Sequence, residues 1–189
     1  MKNTIVNLNK IIKKGILDNE LDFERASIIE RKLRVLAKEQ PDLNEKRQQI
    51  RAILKEYEER EWSRTENITA AKIQENDLAE MIAEQERLFL HNRKHLIRKR
   101  LQELSISQKD LGKILGHTSV SYISELVNGI NPFTTHDLII IHLLLKIDFK
   151  DLIPTMLNVE ERLKLAHVIQ ELSNPKLKLN EQSLELVAS

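Results

Sequence analysis

No cysteine occurs among the 189 residues. That excludes disulfides, thiolate zinc sites and cysteine nucleophiles together, and it is compatible with a cytoplasmic chain. Glycine and proline occur four times each, and aromatic residues make up 4%. A β-rich fold needs many tight turns built from such residues, so the composition points to long helices with few sharp bends. Long apolar runs are also missing. The longest strongly apolar stretch, residues 138–145, is interrupted by His142 and is far short of the ~18 apolar residues of a membrane span. Lys2, Lys10, Lys13 and Lys14, scattered among the first apolar residues, do not read as a signal peptide. What is present is 41% hydrophobic and 31% charged, enough to bury a core in one domain, or in one large and one small domain.

The net charge of +1 is a cancellation. Residues 1–55 carry 13 basic and 8 acidic groups, residues 56–90 carry 4 and 10, residues 91–131 carry 7 and 3, and residues 132–189 carry 6 and 8. An acidic block therefore precedes a basic one.

The expected architecture is all-α. Residues 5–16 fit a helical spacing weakened by Gly15, with a short strand over residues 4–8 as the alternative. Asp22 is placed to cap a helix whose Ala26, Ile29, Leu33 and Leu36 share one face, and Pro41 ends that segment. A second helix over residues 43–59 carries Ile50, Ile53, Leu54 and Tyr57, and the short connection suggests an antiparallel hairpin onto which Trp62 folds back. Residues 63–72 read as a connector. Asn76 or Asp77 then caps a helix through Leu88, which either runs on into residues 96–104 or breaks near Asn92.

From residue 93 the punctuation becomes dense. Ser107 with Asp110, and Thr134 with Asp137, are capping-box signatures. Gly116 and His117 form a turn, and Asn128-Gly129 is a helix stop. The result is five short helices over residues 93–154. A further helix opened by Asn158 and Glu161 carries Leu165, Val168, Ile169 and Leu172 at helical spacing; that stripe either packs on the domain or pairs with a second subunit. The organisation read from these features is 1–62 helical, 63–92 acidic linker or helix, 93–154 a compact domain and 155–189 a C-terminal helix and tail.

Two helices joined by a tight Gly-containing turn make a helix-turn-helix. Its second helix places short or polar residues in the major groove, and the helix N-termini attract phosphates. Ser119, Val120, Ser121, Tyr122 and Ser124 lie on or near the outer face of that second helix. Asn128 and Asn131 follow it, and Ser107 and Gln108 open the first helix. The basic block spans the unit, as electrostatic attraction to DNA requires.

Residues 95–153 resemble the Cro/lambda-repressor-like (XRE) family of helix-turn-helix domains. The resemblance rests on Ser107-Gln108-Lys109-Asp110-Leu111, Leu115-Gly116, Ile123-Ser124-Glu125-Leu126-Val127-Asn128-Gly129 and the closing Leu145-Lys146-Ile147-Asp148. It implies that Gln108 and Asn128 touch phosphate, that Val120, Ser121 and Tyr122 face bases, and that Asn131 reaches a base or the backbone. With Lys109 and with Thr118 in the turn, which is one residue longer than the usual pattern, these complete the candidate DNA-contacting set. Within the family, Ser124-Glu125-Leu126-Val127-Asn128-Gly129 with Pro132-Phe133-Thr134, and the upstream Glu24-Arg25-Ala26, Ile29, Leu33, Pro41, Tyr57-Glu58 and Trp62, are similar to HigA-type antitoxins. That similarity implies a RelE-like toxin as partner of the N-terminal helices, and repression of a shared operon by a homodimer on double-stranded operator DNA. A stand-alone XRE-type regulator is the alternative, and a structural protein whose helix-turn-helix has lost DNA binding is a third reading.

Other residues weigh less. An acid at Glu125 repels phosphate on a reading helix, so a structural ion pair with a basic helix is the preferred role. His91 and His95 have metal-ligand spacing, but Asn92 stands where a zinc protease has its general base. His136, His142 and His167 read as packing residues, and His117 lies in the turn within reach of DNA. Glu56, Glu58, Glu59 and Glu61 read as a solvated helix end, or as an attraction for a basic partner. No nucleophile triad and no Gly-rich phosphate loop is visible, so neither an enzymatic role, a metal nor a cofactor is expected.

Overall fold

A computed structural model describes residues 7–63, 68–154, 159–174 and 176–177. Among them are nine helices and no strand: α1 (Leu8–Lys14), α2 (Glu20–Leu36), α3 (Leu43–Glu61), α4 (Ala70–Glu103), α5 (Gln108–Ile114), α6 (Val120–Val127), α7 (Thr135–Leu145), α8 (Phe149–Leu152) and α9 (Val159–Glu171). The expected all-α architecture is present. The chain divides into two compact units after Leu152.

The first unit holds two apolar cores. One gathers Leu8, Leu17, Ala26, Ile29, Leu33, Leu43, Ile50, Ile53 and Tyr57 from α1–α3. Its antiparallel α2–α3 hairpin is the one expected. Phe23 stacks on Tyr57 with ring centroids 5.1 Å apart, and Trp62 folds back so that its indole N–H donates to Glu20 at 3.1 Å. The second core joins Ile97 and Leu101 of α4 to Leu111, Ile123, Leu126, Phe133, Leu138, Ile141, Leu145 and Leu152. These come from the five helices expected over residues 93–154, the first being the C-terminal third of α4.

Several boundaries differ from expectation. Leu8 opens a helix capped by the Asn7 side chain, so the strand alternative fails where it can be compared; residues 4–6 lie outside the described residues. Asn19, not Asp22, caps α2: its extended backbone lets the side chain accept from the Asp22 N–H, and Asp22 then complements the helix dipole from the first turn. Thr69 caps α4, so Asn76 and Asp77 sit inside the helix and Ala70–Lys72 are helical, not connector.

α4 runs 34 residues without a break at Asn92. The division expected at 92/93 thus falls inside one helix, which packs along α2 and carries Ile97 and Leu101 into the second core. Its Ala79 and Ala83 are buried and keep the α2–α4 spacing small. Arg25 grips Glu86 with two bonds, of 2.8 and 2.5 Å, across the same interface. No helix among the described residues is long and apolar enough to cross a membrane.

In the second unit, α9 holds Leu165 and Ile169 half-buried while Val168 and Leu172 are exposed. His136 and His167 are exposed rather than packed. His142 is half-buried, with Nδ1 2.7 Å from the Ile147 carbonyl and its ring stacked on Phe149. Its polar atom finds a partner, as a buried imidazole requires. Asn158 lies outside the described residues.

Candidate nucleic-acid interface

α5 and α6 meet where a side chain is missing. A Cβ on Gly112 would stand 3.2 Å from the His117 carbonyl oxygen and 3.5 Å from Ile123, so glycine lets the turn close onto α5. Ser107 and Asp110 form a reciprocal capping box at the start of α5. Ser119 caps α6 by accepting from the Tyr122 N–H. Gly129, at φ +65, turns the chain out of α6 against the Leu90 side chain of α4.

The expected contact residues fall into two groups. Ser107, Lys109, Thr118, Ser119 and Val120 are exposed, and Gln108 is half-exposed. They cluster at the N-terminal ends of α5 and α6. Tyr122 is half-buried, its ring edge-on to His117 at 5.2 Å; burial, then Asp137 and Glu125, raises its phenol. His117 in turn lies 3.1 Å from the Asp137 carboxylate, so it serves the α5–α6 turn.

The second group is engaged by the chain's own N-terminal helices. The Ser121 hydroxyl donates to Asp42. Ser124 accepts from the Gln40 amide at 3.2 Å. Glu125, 0% exposed, receives Lys46 Nζ at 2.5 Å and the Asn131 amide at 2.6 Å. The Asn128 carbonyl accepts from Lys32 Nζ at 3.0 Å, while its own amide turns back onto the Ser124 carbonyl. The Asn131 side-chain oxygen takes the Asn9 N–H at 3.2 Å, and Leu8 donates to the Ile130 carbonyl at 3.2 Å. Ile130 itself belongs to the N-terminal core.

Ser124, Asn128 and Asn131 are therefore buried and occupied, and in this arrangement they do not face DNA as expected. The expectation of an ion pair for Glu125 fits the structure, with one difference: its partner comes from α3, not from the helix-turn-helix. Asn9, Lys32, Gln40, Asp42 and Lys46, which complete this contact, were not foreseen. The available signal was Glu125 itself, a carboxylate on a face expected to meet phosphates.

His91 and His95 are exposed on α4. No cluster of three or more His, Asp or Glu is placed to hold a metal among the described residues. Glu56, Glu58 and Glu59 stand exposed at the end of α3, while Glu61 is tied to Lys72 at 2.8 Å.

No curated protein and no solved structure matches the chain. A family model described as helix-turn-helix matches residues 97–152, the stretch that forms the second core. That segment is a helix-turn-helix of the XRE type, a module of DNA-binding transcription regulators.

Proposed function

We propose that this chain is a sequence-specific transcriptional repressor that binds operator DNA through α5 and α6, and that its own N-terminal helices cover the reading face of α6. The observation that supports the reading is the double engagement of α6. The residue types suited to base and phosphate contact are present, and four of the eleven, Ser121, Ser124, Asn128 and Asn131, are held by Asp42, Gln40, Lys32 and Asn9, while Lys46 holds Glu125 between them. A helix cannot lie in the major groove and under the α2–α3 hairpin at once. The closed form and the DNA-reading form exclude each other, so any partner that prefers one of them shifts the balance. Exposed Lys109 and Thr118, and the exposed N-terminal ends of α5 and α6 at Ser107 and Ser119, remain accessible to phosphate in the closed form, which leaves weak, sequence-independent binding.

Fluorescence anisotropy on the promoter of the chain's own gene tests this. Gln40→Ala with Asp42→Ala removes two cover contacts without stranding a charge, and promoter affinity should rise at least tenfold. In that background Ser121→Ala or Asn131→Ala should then cost ~1–3 kcal/mol per lost base contact. A chain that binds no promoter DNA in either form sinks the proposal.

A narrower reading, an antitoxin of the HigA type, is favoured by the resemblance of residues 21–62 and by the exposed Glu56, Glu58 and Glu59. This acidic helix end suits a basic, RelE-like partner. Co-expression with the product of an adjacent small basic reading frame decides it: neither growth rescue nor co-purification would leave the stand-alone regulator. Homodimerisation through the stripe of Leu165, Val168 and Ile169 on α9 with Leu172 just after it is the matching expectation for a palindromic operator. Light scattering of the chain shortened to Pro154 checks it.

A further inference from the structure

A cavity of about 500 Å³ opens between α2, α4 and the end of α6, a size typical of small-molecule sites. Ile28, Leu36 and Leu90 form its apolar wall, and Asn128 closes the side towards α6. Arg31 and Lys32 enter from α2, and Lys94 enters from α4. Among the described residues one carboxylate lines it, Glu84, and that is already bonded to Arg87 at 2.6 Å. Glu84 is also held down by Arg31, which acts on Glu24 beyond the wall as well, but four cations, Arg31, Lys32, Arg87 and Lys94, face that one lining carboxylate, so the positive charge is only partly balanced from within the wall. Burial comes first, then repulsion from Lys94, Arg93 and Arg87, and together they pull Lys32 down to about 8. Among the described residues its ammonium has a single hydrogen bond, to the neutral Asn128 carbonyl. Lys94 is lowered too, by burial and by Arg98.

Three cations converging on an apolar floor call for an occupant with more than one negative charge and a nonpolar body. A carboxylate carries one charge; a phosphate monoester carries close to two at neutral pH and offers three acceptor oxygens. We propose that this cavity is a binding site for a small organic phosphate, with the phosphate among Arg31, Lys32 and Lys94 and the organic body against Ile28, Leu36 and Leu90. A DNA backbone fits less well, because it has no use for the apolar wall.

Occupancy has a direction. Arg31 and Lys32 belong to the helices that cover α6, whereas Lys94 and Arg87 belong to α4. An anion between them relieves the repulsion that now opposes α2–α4 packing, so the ligand favours the closed form and lowers promoter affinity. This consequence rests on reading α1–α3 as a cover; the binding site itself does not.

Calorimetric titration of the full chain with phenyl phosphate and with inorganic phosphate, at 0.15 M salt, tests the site. Phenyl phosphate should bind one to one, at least tenfold tighter than inorganic phosphate, and should raise the melting temperature by several degrees. Arg31→Glu with Lys94→Glu should weaken it at least tenfold. Val35→Trp, at a lining position 62% exposed, should narrow the mouth and weaken phenyl phosphate alone. Equal affinity for the two phosphates, or phenyl phosphate binding indifferent to these changes in variants that keep their helical circular dichroism, overturns the proposal. So does equal displacement of both phosphates by duplex of unrelated sequence, which would assign the patch to DNA backbone. A chain that binds phenyl phosphate but no duplex keeps the site and loses the repressor reading. One that binds its promoter but no phenyl phosphate does the reverse.

Discussion

The two halves of the first unit are held together differently. The helix-turn-helix half closes on apolar side chains, and the side chains that cap its helices act locally, Ser107 with Asp110 and Thr134 with Asp137 three residues away; its longer internal ties are few, among them buried Arg93 donating to the Leu152 carbonyl at 3.2 Å and His117 beside Asp137. The N-terminal half has a smaller core and depends on charged groups that meet across long stretches of chain. Arg25 reaches Glu86, Arg47 reaches Glu30 at 2.8 Å, and Lys46 reaches Glu125. A charge-assisted bond between partly buried groups is strong when complete and costly when broken. The N-terminal half is therefore the one that a single charge change, or a ligand, can release while the other half keeps its fold.

The largest expected effect breaks this asymmetry at its most buried pair. The Glu125 side chain is 1% exposed, against 33% for Lys46. Lys46→Ala strands the carboxylate, with only the Asn131 amide left to it, and should cost about 3 kcal/mol in urea unfolding. Lys46→Met with Glu125→Gln removes both charges and should cost clearly less, because no buried ion is left unpaired. Hydrogen exchange should place the loss in α1–α3 and on α6, not in α7. Equal losses in the single and double variants would show that packing, rather than charge, holds the cover.

The same asymmetry explains what could be read in the amino-acid sequence. Helix starts with a capping box were legible because both partners lie three residues apart. The five-helix unit followed from them and from Gly129. At the start of α2 the local rule fits Asp22 as well as Asn19, and only the backbone chooses Asn19 as the cap. The continuity of α4 is not decided by the residues around Asn92, which include both helix formers and a plausible stop. The cover was invisible for another reason. Ser121–Asp42 and Glu125–Lys46 span 79 residues each, and nothing in a polar helix face says whether DNA or another helix will meet it.

A middle-sized effect comes from Lys32. Its ammonium titrates at about 8 in the folded chain, against ~10.4 when unfolded. Between these values the unfolded chain binds more protons, so stability rises with pH. The penalty of the buried charge is fully present below pH 8 and is relieved towards pH 10. Urea unfolding should show a gain of about 2 kcal/mol between pH 7.5 and 9.5 that Lys32→Met lacks. A saturating organic phosphate should flatten the same gain, because an anion beside Lys32 restores its proton affinity. A pH profile identical in wild type and Lys32→Met would place the lysine in water.

The smallest expected effect compares one cap from each half. Asn19 and Thr134 each accept a backbone N–H in the first turn of a helix, and replacing either with Ala should cost about 1 kcal/mol. The totals should be alike, but the exchange patterns should not. Thr134→Ala weakens α7, whose Leu138, Ile141 and Leu145 anchor the helix-turn-helix core, so protection should fall across α5–α8 together. Asn19→Ala weakens α2, the helix that brings Lys32 to the Asn128 carbonyl. Protection should then fall in α1–α3 and at the C-terminal end of α6, while α7 keeps its own. If both variants loosen all eight helices equally, the two cores unfold as one, and the N-terminal helices are not a separable cover.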